Sequence, residues 1–231
     1  MIRFSDVTEK GTRPETEKLE KHSDIKPSGS MTDQEADAFW KAEFQKAHDE
    51  VSLDEYDALL SEVFNRSEDE LDIVFCIDDR LADLLDQFSP ETWEYMDDSE
   101  RYEIISEFVS ALSEDLGLED IPEVAVFDDD DAYGFYSPSD NTINLNRQYF
   151  DNPVELVNTI AHEMCHAYQE YRVCLLETRE DALYRVNLDN YISPIPLPGG
   201  GWVFFTDYQD QYVEVDARAF ANLFTEAMKY E

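Results

Sequence analysis

The chain has 231 residues, of which 42% are hydrophobic and 13% aromatic, so it can bury the core of one substantial domain, alone or with a small helical addition. Its 55 acidic residues outnumber 17 basic ones, and the formal net charge of -38 repels phosphate backbones and anionic membrane surfaces. Binding to nucleic acid or to a membrane is therefore not expected.

The first 30 residues are predicted to be a flexible tail. After Phe4 they contain almost no large apolar residue, so they cannot offset the entropy of ordering. They lack the apolar core of a secretory signal, and no stretch of the chain approaches about 18 consecutive apolar residues. The three cysteines are an odd number that does not form a disulfide framework. We therefore expect a cytoplasmic protein, with signal-independent export as the open alternative.

A helical region is predicted over residues 31–118. Thr32 and Glu35 have the spacing of a capping box, and apolar residues follow them at helical intervals. Further helices are predicted over residues 53–65 and near residues 78–88, and the pair Ser89-Pro90 either ends the second of these or starts the next helix.

Another helix is predicted to begin at Ser99 and to end near Gly117, before the pattern changes to strands. The apolar residues on the inner face of this helix are Tyr102, Ile105, Phe108, Val109 and Leu112. Three short strands follow at residues 123–127, 133–136 and 142–145, separated by acidic or polar turns. We predict that they form an antiparallel sheet.

The remaining third of the chain is predicted to return to helices. Pro153 suits the first turn of a helix that runs to about Tyr171, and residues 175–187 are weakly helical. Residues 191–201 contain three prolines and three glycines and are predicted to be a loop, before a last helix over residues 208–229. This order of elements indicates an α+β fold.

The clearest chemical signal is the segment HEMCH at residues 162–166. His162 and His166 are one helical turn apart, so their imidazoles share a helix face and can bind one zinc ion. Glu163 lies one step round the helix, where its carboxylate can reach a metal-bound water as a general base. Cys165 is predicted to be a small buried residue. Two alternatives stay open: incidental histidines on a charged helix face, and a structural metal site without turnover.

A third metal ligand is predicted in the last helix. Ala217 and Ala221 share a helical face with Glu214, and such small residues allow close packing against the HEMCH helix. Glu214 is the first candidate, and Asp216, on another face and with a shorter side chain, is the second. For either residue the alternative is an ordinary acid facing solvent, because the chain has 55 acidic residues.

These motifs resemble a known class of enzymes. HEMCH, followed by EVDARAFA at residues 214–221, resembles the gluzincin class of zinc metallopeptidases and is most similar to its ImmA/IrrE (M78-like) family. GFY at residues 134–136 and NTINLN at residues 141–146 resemble the edge strand that precedes the active-site helix in that fold.

The resemblance implies a zincin-like domain over residues 119–231, with a short antiparallel three-stranded sheet and an active-site helix. In that domain His162, His166 and Glu214 would bind Zn2+, and Glu163 would be the catalytic base. The implied function is hydrolysis of peptide bonds by a zinc-bound water that Glu163 activates.

The substrate of such an enzyme would be a protein or peptide. Solubility is the first interpretation of the chain's acidity, and attraction to a basic partner or substrate is the alternative that stays open. The strand at residues 142–145 is predicted to bind an extended peptide by β-addition. One of Tyr168, Tyr212 and Arg218 is predicted to assist catalysis. The alternative function is an acidic, non-enzymatic binding protein that engages a basic partner or mimics DNA charge, with a structural or vestigial zinc site.

Overall fold

A computed structural model describes residues 58–61, 63, 75–128, 132–197 and 201–229. The predicted tail over residues 1–30 and the capping box at Thr32 and Glu35 lie outside these residues. Residues 58–61 and 63 are helical, in agreement with the helix predicted there.

Three helices precede the sheet: α1 (Asp79–Gln87), α2 (Pro90–Trp93) and α3 (Asp98–Leu116). The helix predicted near residues 78–88 is thus confirmed as α1. Asp97 caps α3 in a capping box with Glu100, two residues ahead of the start predicted at Ser99. The predicted end is confirmed, because Gly117 takes a left-handed conformation with φ of 69° that terminates the helix.

Three strands form one mixed sheet: β1 (Glu123–Phe127), β2 (Gly134–Ser137) and β3 (Thr142–Asn146). The order is β1-β3-β2, and β3 pairs parallel with β1 and antiparallel with β2. The prediction of an antiparallel three-stranded sheet was wrong, because alternating apolar residues indicate strands but not their neighbours. β2 lies one strand away from β1, and β3 fills the space between them. β3 is therefore the central strand, and its prediction as an edge strand was wrong too.

The chain continues from the sheet through a short 3-10 helix (Arg147–Tyr149), α4 (Pro153–Leu175), α5 (Arg179–Asp189), β4 (Ile195–Pro196), β5 (Trp202–Val203), α6 (Phe205–Asp210) and α7 (Tyr212–Ala227). The predicted loop over residues 191–201 contains β4, which pairs antiparallel with β5. The helix predicted over residues 208–229 is two helices, because Gln211 has an extended backbone between them. Among the helices of the described residues, none is long and apolar enough to cross a membrane.

The main core lies around α4, with α7, α3, α1 and β3 contributing apolar side chains. Ile160 and Ala161 of α4 are fully buried in it, and Phe108 of α3 meets Phe224 of α7 with ring centroids 5.7 Å apart. Tyr102, predicted on the inner face of α3, is instead 41% exposed and donates its hydroxyl to the carbonyl of Val124. The packing surrounds the helix that carries HEMCH on several sides and limits its movement.

Gly134 lets β2 lie directly against α4. A Cβ at this position would be 2.7 Å from Cγ2 of Thr159 and 2.8 Å from the carbonyl oxygen of Asn144. Both distances are too short for a Cβ contact, so this close approach requires glycine. Strand β2, at one edge of the sheet, is thereby brought to the middle of α4, next to Glu163.

Candidate metal centre

His162 and His166 lie on one face of α4, where their Nε2 atoms are 3.1 Å apart. The first is almost fully buried, and the second is 17% exposed, so the pair opens to solvent on the side of His166. Their shared face follows from the 3.6-residue helical period, which brings positions four apart together. The apolar residues around them in α4 bury the same stretch in the core.

Glu214 of α7 lies opposite the two histidines. Its Oε2 is 3.4 Å from Nε2 of His162, and its Oε1 is 3.5 Å from Nε2 of His166. Burial raises the pKa of Glu214, but the two histidines outweigh this effect and lower the pKa to about 2. The carboxylate is therefore ionised at neutral pH. It is only 1% exposed, so it is not an acid facing solvent.

The spacing of these three side chains fits a tetrahedral metal ion. Ligands that are 2.0–2.1 Å from a tetrahedral zinc are about 3.3 Å from one another. The two Nε2 atoms are 3.1 Å apart, and each lies near a different oxygen of Glu214, at 3.4 Å for His162 and 3.5 Å for His166. One ligand atom from each residue can be chosen so that all three lie within 4.8 Å of one another. Two imidazoles and one carboxylate are also a donor set of catalytic metal sites that keep a position for water. Within the described ranges, no other group of three His, Cys, Asp or Glu ligands comes this close together.

Asp216, the second candidate for the third ligand, faces another part of the fold. Two positions along a helix turn the side chain by about 200°, away from the face of Glu214. Asp216 is fully buried and accepts a 2.8 Å hydrogen bond from the hydroxyl of Tyr184 in α5. The structure therefore brings Glu214, and not Asp216, to the histidines.

Glu163 is buried beside this cluster with its two oxygens in different surroundings. Oε2 accepts a 2.9 Å hydrogen bond from the backbone N–H of Tyr136 in β2. Oε1, also buried, accepts no hydrogen bond from any residue that the structure describes. Burial raises the pKa of Glu163, and the charges of the nearby histidines lower it by less. A buried carboxylate with a raised pKa and one unengaged oxygen is suited to accept a proton.

Gln169 fixes the orientation of the His166 ring. Its amide nitrogen donates a 2.9 Å hydrogen bond to the carbonyl of Val213, so its amide oxygen is the atom that lies 2.8 Å from Nδ1 of His166. An amide oxygen only accepts, so Nδ1 carries the hydrogen, and in the neutral ring the lone pair is then on Nε2, the nitrogen nearest Glu214. Sequence analysis missed Gln169, although its position three residues after His166 on the same helix was a usable signal.

Two tyrosines that sequence analysis also missed contact Glu214. Tyr191 donates its hydroxyl to Oε1 at 2.7 Å, and Tyr208 donates to Oε2 at 3.0 Å. Of the residues predicted to assist catalysis, Tyr212 is fully buried, and Arg218 donates to a backbone carbonyl of α6. Tyr191 comes from an irregular segment, so no periodicity could indicate that it returns to the site.

Cys165 lies in the middle of HEMCH but does not join the cluster. It is fully buried, as predicted, and accepts a weak 3.6 Å hydrogen bond from the amide of Gln169. Burial raises the pKa of its thiol well above the usual value. Cys165 is therefore a buried thiol outside the group of candidate ligands.

A model of the SprT-like family matches residues 107–174. The matched segment begins within α3 and ends one residue before the end of α4, so it includes the mixed sheet and HEMCH but not Glu214. SprT-like domains are zincin-like and related to metallopeptidases. The similarity supports that class of protein, while the resemblance to the ImmA/IrrE family stays a prediction. No curated protein and no solved structure matches the chain significantly.

Proposed function

We propose that this protein is a zinc-dependent metallopeptidase, in which His162, His166 and Glu214 bind the zinc and Glu163 is the general base. The main support is the proximity of two imidazoles and a buried carboxylate: the Nε2 atoms of His162 and His166 are 3.1 Å apart and lie 3.4 and 3.5 Å from the two oxygens of Glu214. The similarity of residues 107–174 to the SprT-like family supports the same class.

The protein residues around the metal position have separate tasks. A zinc ion there would act as a Lewis acid and lower the pKa of a bound water towards about 7. Glu163 accepts a proton from the attacking water through Oε1 and passes it to the nitrogen that leaves. The backbone N–H of Tyr136 binds Oε2, which leaves Oε1 without a hydrogen bond from the described residues. Gln169 orients the His166 ring, whose Nε2 lies 3.5 Å from Oε1 of Glu214.

The outer edge of β2 is the proposed binding site for the substrate backbone. Tyr136 lies opposite Ile143 of β3, yet its N–H points to Glu163 rather than across the sheet. The edge of β2 that faces away from β3 therefore faces the candidate metal centre. An extended peptide that adds to this edge would place a backbone carbonyl beside Glu163. This assignment replaces the one made from sequence, which used the central strand β3.

The test of this proposal is the variant Glu163→Gln, which keeps the shape of the side chain and removes the base. We expect it to bind zinc and to fold as the wild type does, while its rate of peptide cleavage falls by about 10²-fold or more. Glu155→Gln is the matched control, because it makes the same change in the first turn of the same helix. It should cleave at the wild-type rate.

Cleavage by Glu163→Gln at the wild-type rate would contradict the proposed role. A panel of basic, acidic and neutral unstructured peptides should be used, because the net charge of -38 favours basic ones. A wild-type protein that binds zinc, cleaves none of them, and captures basic peptides only at low salt would favour the acidic binding protein instead.

A further inference from the structure

Both oxygens of the Glu214 carboxylate accept hydrogen bonds from tyrosine hydroxyls. Tyr191, two residues after the end of α5, donates to Oε1 at 2.7 Å, and Tyr208 of α6 donates to Oε2 at 3.0 Å. The two rings meet edge to face with centroids 6.1 Å apart. Each oxygen also faces one histidine, Oε1 facing His166 and Oε2 facing His162. Every oxygen of this carboxylate thus has one phenol and one imidazole as neighbours.

The phenols can orient Glu214 without occupying the position of a metal. A carboxylate oxygen has two lone-pair directions, so a phenol on one of them leaves the other for the ion. Tyr208 is buried, whereas Tyr191 is 36% exposed and only its hydroxyl end reaches the buried carboxylate. The carboxylate of Glu214 only accepts, so both phenols act as donors in these hydrogen bonds.

We propose that Tyr191 and Tyr208 are positioning residues that set the metal affinity of the centre by orienting both oxygens of Glu214 towards the histidines. This inference rests on the proposed function, because it assumes that the centre binds a metal. Mutation of a residue that hydrogen-bonds to a metal ligand typically lowers metal affinity by about 10–100-fold.

The competing explanation is that the two hydroxyls only satisfy a buried charge. In that case their removal would destabilise the fold without a specific effect on metal binding. Tyr184 provides a matched control, since its hydroxyl donates a 2.8 Å hydrogen bond to Asp216, a buried carboxylate of the same helix α7. Asp216 lies outside the ligand cluster, so Tyr184→Phe removes an equivalent bond without touching a ligand.

The experiment compares full-length wild type with Tyr191→Phe, Tyr208→Phe, their double variant and Tyr184→Phe. Zinc affinity is measured by competition with a chromogenic chelator, and the geometry of the site by the visible absorption of the Co2+-loaded protein. We expect each single variant to bind zinc about tenfold more weakly, with a changed Co2+ spectrum. Tyr184→Phe should unfold at a lower temperature yet keep the wild-type zinc affinity and spectrum.

The inference is overturned if the Tyr191 and Tyr208 variants bind zinc as tightly as wild type, whatever their unfolding temperature. Should Tyr208→Phe fail to fold, Tyr191→Phe decides alone, because its ring is partly exposed and keeps its contacts as phenylalanine. If the wild-type protein binds no zinc, both the proposed function and this inference are wrong. If the wild type binds zinc and the tyrosine variants have the same zinc affinity, only this inference is wrong.

Discussion

The backbone N–H of Tyr136 donates a 2.9 Å hydrogen bond to Oε2 of Glu163, which links the outer strand of the sheet to the helix that carries both histidines. Of the substitutions possible at position 136, only proline removes this backbone donor. The orientation of Glu163 therefore depends on where β2 lies, and Gly134 is the residue that lets β2 lie so close to α4.

Gly134→Ala should consequently impair both the fold and the site. The added methyl would be 2.7 Å from Thr159 and 2.8 Å from a backbone oxygen, so β2 must move away from α4. We expect a loss of about 1–3 kcal/mol in the free energy of unfolding, measured in urea, as for other overpacked cores. Peptide cleavage should fall further than this loss explains, while zinc stays bound.

The control for that change is Gly117→Ala, at a position where a Cβ meets nothing within 4 Å but φ is 69°. It should cost about 1–2 kcal/mol from backbone strain alone and leave cleavage by the folded protein unchanged. If Gly134→Ala were as stable and as active as wild type, the role assigned to the β2–α4 contact would be wrong.

Gln169→Met tests the residue that orients His166. The substitution keeps the volume of the side chain but leaves Nδ1 of His166 and the carbonyl of Val213 without their partner. We expect zinc affinity to fall about tenfold and the free energy of unfolding to fall by about 1–3 kcal/mol. Gln148→Met, the same change at an exposed position, should alter neither quantity. Unchanged zinc affinity in Gln169→Met would count against this role.

The ion pair between Arg172 and Asp181 predicts a pH-dependent contribution to stability. Asp181 accepts hydrogen bonds of 2.7 and 2.8 Å from the guanidinium, and these join α4 to α5. Burial raises the pKa of Asp181, but Arg172 and two backbone N–H groups outweigh it and lower the pKa. A lowered folded-state pKa stabilises the fold above the unfolded value of about 3.9, and this stability is lost as the pH falls through the folded-state pKa.

Asp181→Asn should therefore be less stable than wild type by about 1–3 kcal/mol at pH 7, with a smaller difference at pH 3. Urea unfolding at both pH values measures the two differences. Asp189→Asn is the control. Asp189 pairs with Arg185 and its side chain is 32% exposed, against 1% for Asp181, so the substitution should have little effect at either pH. An equal loss in Asp181→Asn at both pH values would exclude titration of this pair as the cause.

Local signals predicted those parts of the fold that local chemistry determines. Gly117 ends α3 and Pro153 begins α4, as expected from their backbone preferences. The strand order was not predictable in this way. The parallel pairing of Val124 with Ile143 joins residues that are far apart in sequence, and it depends on tertiary packing that no local pattern encodes.

In the candidate site, too, local sequence patterns predicted some features and not others. The spacing of HEMCH determines that two imidazoles share a helix face, because the helical period alone sets that geometry. The choice between Glu214 and Asp216 depends on how α7 is rotated against α4 and α5, which the sequence pattern left open. Tyr191 and Tyr208 reach the site only because the chain returns to it after α5, and no local pattern encodes that return.

The most direct test of the metal centre is the metal content of the purified protein, measured by mass spectrometry for wild type, Glu214→Gln and Asp216→Asn. Both substitutions remove a buried charge from α7 and preserve the shape of the side chain. We expect about one equivalent of zinc in wild type and in Asp216→Asn, and far less in Glu214→Gln after dialysis. A wild-type protein without a bound divalent metal, or a loss of metal in Asp216→Asn but not in Glu214→Gln, would contradict the proposed centre.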